Sequence, residues 1–156
     1  MRIEGQAVCL PADIDTDLII AGRYLRTKDR SIWAARVFED LDPELAGQLK
    51  GSVIVAGKNF GCGSSREQAA VALKEAGVAG IIAPSFARIF FRNAINVGLP
   101  LAEADLPCTE GERVIIDFSA GRVCSESTER SIAPLSNRML EILSSGGLVE
   151  FWRKRS

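Results

Sequence analysis

The stretch from Ser52 to Gly77, SVIVAGKNFGCGSSREQAAVALKEAG, leaves this chain little choice of fold. Val53-Ile54-Val55-Ala56 is apolar without alternation, the pattern of a strand covered on both faces. Gly57, Gly61 and Gly63 make a loop, and a helix is predicted to open on Ser64-Ser65-Arg66-Glu67. Its small residues, Ala69, Ala70, Ala72 and Ala76, allow close approach to a sheet, and Gly77 suits the position that ends a helix in a left-handed conformation. Val78 to Ala83 reads as the next strand, ended by Pro84. Strand, loop, helix and strand in this order imply a parallel pair joined by a right-handed crossover.

The flanks extend this into a mixed sheet. Residues 2–10 read as an opening strand ended by Pro11, and 21–30 as a polar connection. Ser31 is a candidate cap for a helix over IWAARVFE, and Asp42-Pro43 for a second over ELAGQLK. Ser85 would cap FARIFFRNAINVG, whose Phe86, Ile89, Phe90, Ala94 and Ile95 form an apolar stripe at helical period, expected in the core. Arg88, Arg92, Asn93 and Asn96 make its polar side. Glu112–Phe118 and Arg122–Cys124 around Ser119-Ala120-Gly121 read as a hairpin. Ser136 would cap NRMLEILSS, closed by Gly146-Gly147, and LVEFWRKRS follows as a tail that begins apolar and ends basic. With no repeat or linker, the expectation is one α/β domain over 1–156 with a mixed, partly parallel sheet.

Composition closes several routes. The formal net charge of −1 supplies no basic field for nucleic acid or a membrane surface. No apolar run approaches the roughly 18 residues of a membrane span. MRIEGQAV carries no apolar signal-peptide core, so the cytoplasm is the expected location. Cys9, Cys62, Cys108 and Cys124 lie far apart without a Cys-x-x-Cys pair, which is neither a metal framework nor a disulfide scaffold. The absence of histidine rules out a Ser-His or Cys-His nucleophile within the chain. Acid–base chemistry is left to Ser, Arg, Asp, Glu, Lys, Cys or Tyr24, or to a second chain. Asp13-Ile14-Asp15-Thr16-Asp17 has the spacing that starts a calcium loop, but Leu18 stands where that loop requires Gly and Tyr24 where it requires Glu. An acidic turn, or a group steering an Arg or a hydroxyl, fits better.

At the glycine loop the nucleotide fingerprints fail. Lys58 is at the wrong end for a P-loop, and Gly61-x-Gly63 is followed by Arg66 where a dinucleotide motif needs Gly. What remains is an anion site: Ser64, Ser65 and Arg66 at a helix N-terminus. Arg66 can clamp a carboxylate through two donors. A serine beside a guanidinium and a helix dipole can have its alkoxide stabilised and act as a base towards a C–H bond. The plainer alternative is that Ser64-x-x-Glu67 and Ser65-x-x-Gln68 are capping boxes and Arg66 pairs with a surface acid.

Asn59-Phe60-Gly61-Cys62-Gly63-Ser64-Ser65-Arg66-Glu67 resembles the signature of the aconitase-family swivelling domain, above all the separate small subunits of 3-isopropylmalate dehydratase and homoaconitase. The resemblance extends in order through Asp13–Asp17 with Ile19-Ile20, Tyr24-Leu25-Arg26-Thr27, and Ser85 to Asn93 and Pro100. It implies a swivelling β/β/α fold and half of a composite active site. The partner would be a large subunit carrying a [4Fe-4S] cluster and the histidines, with no cofactor or metal held by this chain. It implies dehydration and rehydration of a small 2-hydroxy di- or tricarboxylic acid, with isopropylmalate or homoaconitate as the alternatives. It gives Ser64 the base role and makes Ser65 and Arg66 its assistants and carboxylate binders. Arg26 and Thr27 would sit in the loop that sorts substrates, Arg26 favouring an additional carboxylate. Asp15, Thr16, Asp17, Gly61, Gly63 and Glu67 would support the site. Cys62 matches the isopropylmalate branch, where aconitase has an acid; Gln68 departs from the His of many bacterial members. A non-catalytic anion-binding module stays open beside these enzyme readings.

Overall fold

The computed structural model describes residues 1–155. In chain order the elements are β1 (Arg2–Leu10), α1 (Thr16–Ile19), α2 (Arg30–Arg36), β2 (Val53–Ala56), α3 (Glu67–Glu75), β3 (Gly80–Ala83), α4 (Arg88–Asn96), β4 (Leu101–Glu103), β5 (Arg113–Asp117), β6 (Arg122–Cys124), β7 (Glu129–Ser131), α5 (Asn137–Ser145) and α6 (Leu148–Arg155). Short 3₁₀ turns cover Gly22–Tyr24 and Leu45–Gln48.

The strands run β4-β3-β2-β1-β5-β6-β7. From β1 to β4 they are parallel, and from β5 to β7 antiparallel. β1 changes partner midway: residues 2–6 pair with β5, and 7–10 with β2. That change lets the antiparallel half curl over one face of the parallel half. Val114, Ile116 and Val123 accordingly share a buried cluster with Ala7, Val53, Val55 and Ile82. The alternate residues, Val8, Ile54, Ala56, Ile81 and Ala83, bury against the helices on the other face. β2 is buried at every position because it is covered twice, as its unbroken apolar run predicts. The layering is β/β/α.

The Ala-rich face of α3 packs as expected, with Ala69, Ala70, Ala72 and Leu73 buried, and Gly77 takes φ +89 after it. Ser136 caps α5 by accepting from Met139 N at 3.2 Å, and Gly146 ends that helix at φ +94.

Other expectations need correction. Asp29, not Ser31, caps α2, accepting from Ser31 N at 3.0 Å. A carboxylate two residues upstream reaches the same free N–H groups with full charge. Ser85 caps nothing: α4 begins after Ala87, and Ser85 Oγ instead accepts from Asn59 N at 2.8 Å. Ile89 is 50% exposed and outside the core, although Phe90, Ala94 and Ile95 are buried. The terminal segment is α6, anchored by buried Phe151 and packed on α5 rather than left as a tail. β4 and β7 escape a pattern reading because three residues carry too little periodicity and, unlike β6, neither follows a hairpin turn signal such as Ser119-Ala120-Gly121.

Candidate active site

The parallel strands β1, β2 and β3 all deliver their carboxyl ends to one edge, where ligand crevices form in α/β sheets. Three loops meet there: Pro11–Asp15 after β1, Gly57–Arg66 after β2, and Pro84–Ala87 after β3. Isolated bridges join Asp15 to Cys62 and Phe60 to Phe86. Asp13 N donates to Lys58 O at 2.9 Å, Gly61 N to Ile14 O at 2.7 Å, and Thr16 N to Cys62 O at 2.9 Å. The long glycine loop is thus laced to its neighbours, not left to wander.

Phe60 is the wedge under this loop. It is fully buried and meets Phe86 and Phe90 edge to face, with centroids 6.1 and 5.4 Å apart. Gly61 follows at φ +83, and a Cβ there would lie 2.2 Å from the Phe90 ring. Asn59 is also left-handed, at φ +60, and its side-chain amide donates to Asp13 Oδ1 at 3.0 Å. No sequence signal announced that brace.

Ser64 and Ser65 stand exposed on the rim of a pocket of about 210 Å³, with Thr16, Gly61, Gly63, Arg66, Ala87, Arg88, Ile89, Phe90 and Asn93 around it. The expected capping boxes do not form. α3 starts at Glu67 with Arg66 as its N-cap, and no side chain accepts from its first turn. Gly63 at φ +90 turns the chain so that both serines precede the helix instead of wrapping its end. Neither hydroxyl makes a hydrogen bond among the described residues, so both are free for a ligand.

Thr16 is 2% exposed, and its Oγ1 donates to Ser64 O at 2.8 Å. It holds the serine's backbone from beneath, a positioning role. Arg66 is partly buried, and its Nη1 forms an ion pair with Asp17 Oδ1 without the alignment of a hydrogen bond. Asp17 is mostly exposed, so water weakens that pairing and the guanidinium keeps donors for an incoming carboxylate. Gly22 lies against Arg66, 3.7 Å from Nη1 to the point a Cβ would occupy. Asp15 caps α1, accepting from Leu18 N at 2.8 Å. Glu67 is exposed in the first turn of α3, and its side chain makes no hydrogen bond or ion pair among the described residues.

Arg26 and Thr27 lie in a neighbouring groove with Arg23, Tyr24, Ser31, Ile32, Ala35 and Arg36. Arg26 is exposed and makes no ion pair among the described residues, while Thr27 Oγ1 accepts from Asp29 N at 3.1 Å. The groove is stiffened by Glu39, which takes hydrogen bonds from Tyr24 and, at 2.9 Å each, from Arg23 and Arg36. The Tyr24 hydroxyl above all, then these guanidiniums, hold the Glu39 carboxyl down at about 2. Because the folded value lies below the ordinary one, this contribution to stability is complete above pH ~4.5 and is lost as pH falls towards 2. The thermal midpoint of the isolated chain therefore drops over that window, and Glu39→Gln makes the drop shallower in melts followed by circular dichroism. An unchanged slope in the variant overturns the assignment.

Arg88, Ile89 and Asn93 line the pocket, although their spacing reads as helix polarity or core; only the start of α4 at the pocket's edge reveals them. No three His, Cys, Asp or Glu side chains gather to hold a metal ion among the described residues. Among the described residues the cysteines do not gather either, beyond Cys9 with Cys108.

A family model described as the aconitase C-terminal domain matches residues 12–105, which take in the three loops of the site except Pro11. The chain belongs to the aconitase C-terminal domain family. Its relatives in this family match over nearly the whole chain. It is 50% identical to the methanogen homoaconitase small subunit of Methanothermobacter thermautotrophicus, covering 97% of this chain and 91% of that one. It is 47% identical to the 3-isopropylmalate dehydratase small subunit of Aliarcobacter butzleri, over 96% and 93% of the two chains. The crystal structure of the 3-isopropylmalate dehydratase LeuD of Methanocaldococcus jannaschii superposes with a TM-score of 0.93 at 43% identity, covering 99% of this chain and 95% of that one. The aconitase-type β/β/α fold implied by the glycine-loop signature is therefore the fold of this chain.

Proposed function

We propose that this chain is the small subunit of a 3-isopropylmalate dehydratase, a hydro-lyase that interconverts 2- and 3-isopropylmalate by removing and re-adding water. The observation that carries the proposal is the pair of unpartnered hydroxyls, Ser64 and Ser65, beside the Arg66 guanidinium on an open wall. Arg66 and the N-terminus of α3 bind and orient a substrate carboxylate. Ser64 takes the proton from the carbon next to that carboxylate, and Ser65 assists. Thr16 fixes the height of Ser64, and Asp17 holds Arg66 until substrate arrives.

An exposed serine has no means to lose its proton in bulk water. The wall has to be covered before Ser64 can be a base, because only a water-excluded site makes the guanidinium and helix dipole strong enough. This reading supplies the cover as a large subunit, and assigns to that subunit the [4Fe-4S] cluster and the remaining acid–base groups. The whole chain then acts as one swivelling domain, in the cytoplasm.

A second reading, a homoaconitase or dual-substrate small subunit, is favoured by Arg26. An exposed guanidinium at the substrate-sorting loop, with no ion pair among the described residues, can meet an extra carboxylate, and would be left without a partner over an isopropyl group. Co-expression with the cluster-bearing subunit and assay on both substrates tests both readings. The isolated chain is expected to be inactive and the pair active. Arg26→Val shifts the ratio of kcat/KM for isopropylmalate over homoaconitate upward by about tenfold or more. Activity of the chain alone overturns the split site; an unchanged ratio removes Arg26 from specificity. A folded pair with no turnover of either acid favours an anion-binding module.

A further inference from the structure

Outside the site, two cysteines that are 99 positions apart in sequence meet in space. Cys9 Sγ and Cys108 Sγ are 3.6 Å apart, and Cys9 Sγ also lies 3.9 Å from Cys108 O. Both are free thiols and only partly buried, so a small reagent can reach them. The contact is built into the backbone. The segment after β4 runs beside β1, with Ala7 N donating to Glu112 O at 2.8 Å, Gly111 N to Ala7 O at 2.9 Å, and Cys9 N to Glu110 Oε1 at 2.8 Å. These bonds tie residues 110–112, just after Cys108, to β1 at Ala7 and Cys9, and so bring the two cysteines side by side.

We infer that Cys9 and Cys108 form an oxidisable dithiol that closes to an intramolecular disulfide by exchange with a low-molecular-weight disulfide. One thiolate attacks a sulfur of the small disulfide, forming a mixed disulfide and releasing one small thiol. The second cysteine sulfur attacks the protein sulfur of that adduct and expels the other small thiol. The two protons leave with the departing thiols; the protein dithiol is oxidised by two electrons and the small disulfide is reduced. The approach left, from 3.6 Å to a bond of about 2.05 Å, is shared by two side chains each with a rotatable Cα–Cβ bond.

The surroundings set the pace. Burial, the neighbouring thiol and the Glu110 and Glu112 carboxylates push Cys108 up to about 12, and burial raises Cys9 as well. Little thiolate exists near neutral pH, so the pair persists as thiols there and closes faster as pH rises. The closed form pins the carboxyl end of β1, from which Pro11–Asp15 runs into the site.

The test uses the full chain with oxidised glutathione under mildly alkaline conditions. Two of the four thiols should disappear, the chain should stay monomeric, and its mass should fall by two hydrogens, with one linked peptide containing positions 9 and 108. A crosslink closing so long a loop should raise the thermal midpoint by roughly 5–15 °C. Cys62→Ser and Cys124→Ser should each still lose two thiols, whereas Cys108→Ser should stop at a glutathione adduct on Cys9. Retention of all four thiols, a lasting adduct on the unsubstituted pair, a bridge to another cysteine or a covalent dimer each overturns the inference. None of these readouts depends on hydratase activity.

Discussion

Ser64→Ala in the complex with the large subunit lowers kcat by about a thousandfold, within the range of roughly 10²–10⁴ that a positioned general base contributes. At 1.36 kcal/mol per factor of ten this is about 4 kcal/mol of transition-state stabilisation. The thermal midpoint of the isolated chain should barely move. Ser64 is exposed and its hydroxyl makes no hydrogen bond among the described residues, so removing it forfeits no packing and strands no partner. KM should change little, since in the proposed mechanism the carboxylate is held by Arg66. Steady-state kinetics beside thermal melts read both halves. Normal turnover removes Ser64 from the base role, and a large loss of stability makes its role structural. Thr16→Val provides the contrast: it removes the bond to Ser64 O from a buried site and should lower both stability and kcat.

Gly61→Ala has the largest expected effect on folding. The new methyl would sit 2.2 Å from Phe90 Cγ and 2.5 Å from its Cβ, at a backbone φ of +83 that side chains rarely adopt. Phe90 cannot yield, because it is buried and locked edge to face against Phe60. Overpacking and left-handed strain add to about 3 kcal/mol or more. Urea unfolding should show the loss, and assembly with the large subunit should fail in parallel because the Ser64–Arg66 wall moves. A variant as stable as the parent overturns the account of the loop. Gly111→Ala is the control: it shares a positive φ, but its Cβ would meet nothing within 4 Å, so strain alone acts there.

The sequence made the centre of this fold legible because several signals agreed. Val53–Ala56 could only be a strand covered twice, Gly77 and Gly146 had to end helices, and Ser136 had to cap one. The same rules misled where tertiary contacts outbid local ones. Ser64 and Ser65 had ideal capping spacing, yet Gly63 turns the chain and Thr16 pulls on Ser64 O, so the hydroxyls face outward. Ser85 looked like a cap but is bonded by Asn59 N, across a distance no local pattern encodes. Ile89 fits the apolar stripe but falls at the pocket and is half exposed.

By itself the sequence determined the chemistry available: no histidine, one serine pair beside an arginine, no cluster of metal ligands, and a parallel strand–helix unit to carry them. Those are matters of residue type and short-range period, which a single chain displays directly. Only the tertiary structure decided that Thr16 and Asp17 reach Ser64 and Arg66, that Arg26 opens on a separate groove, and that Cys9 meets Cys108. Such contacts join loops that are neighbours only because β1, β2 and β3 are parallel and adjacent. The register of a sheet sets those distances, and no local spacing records it.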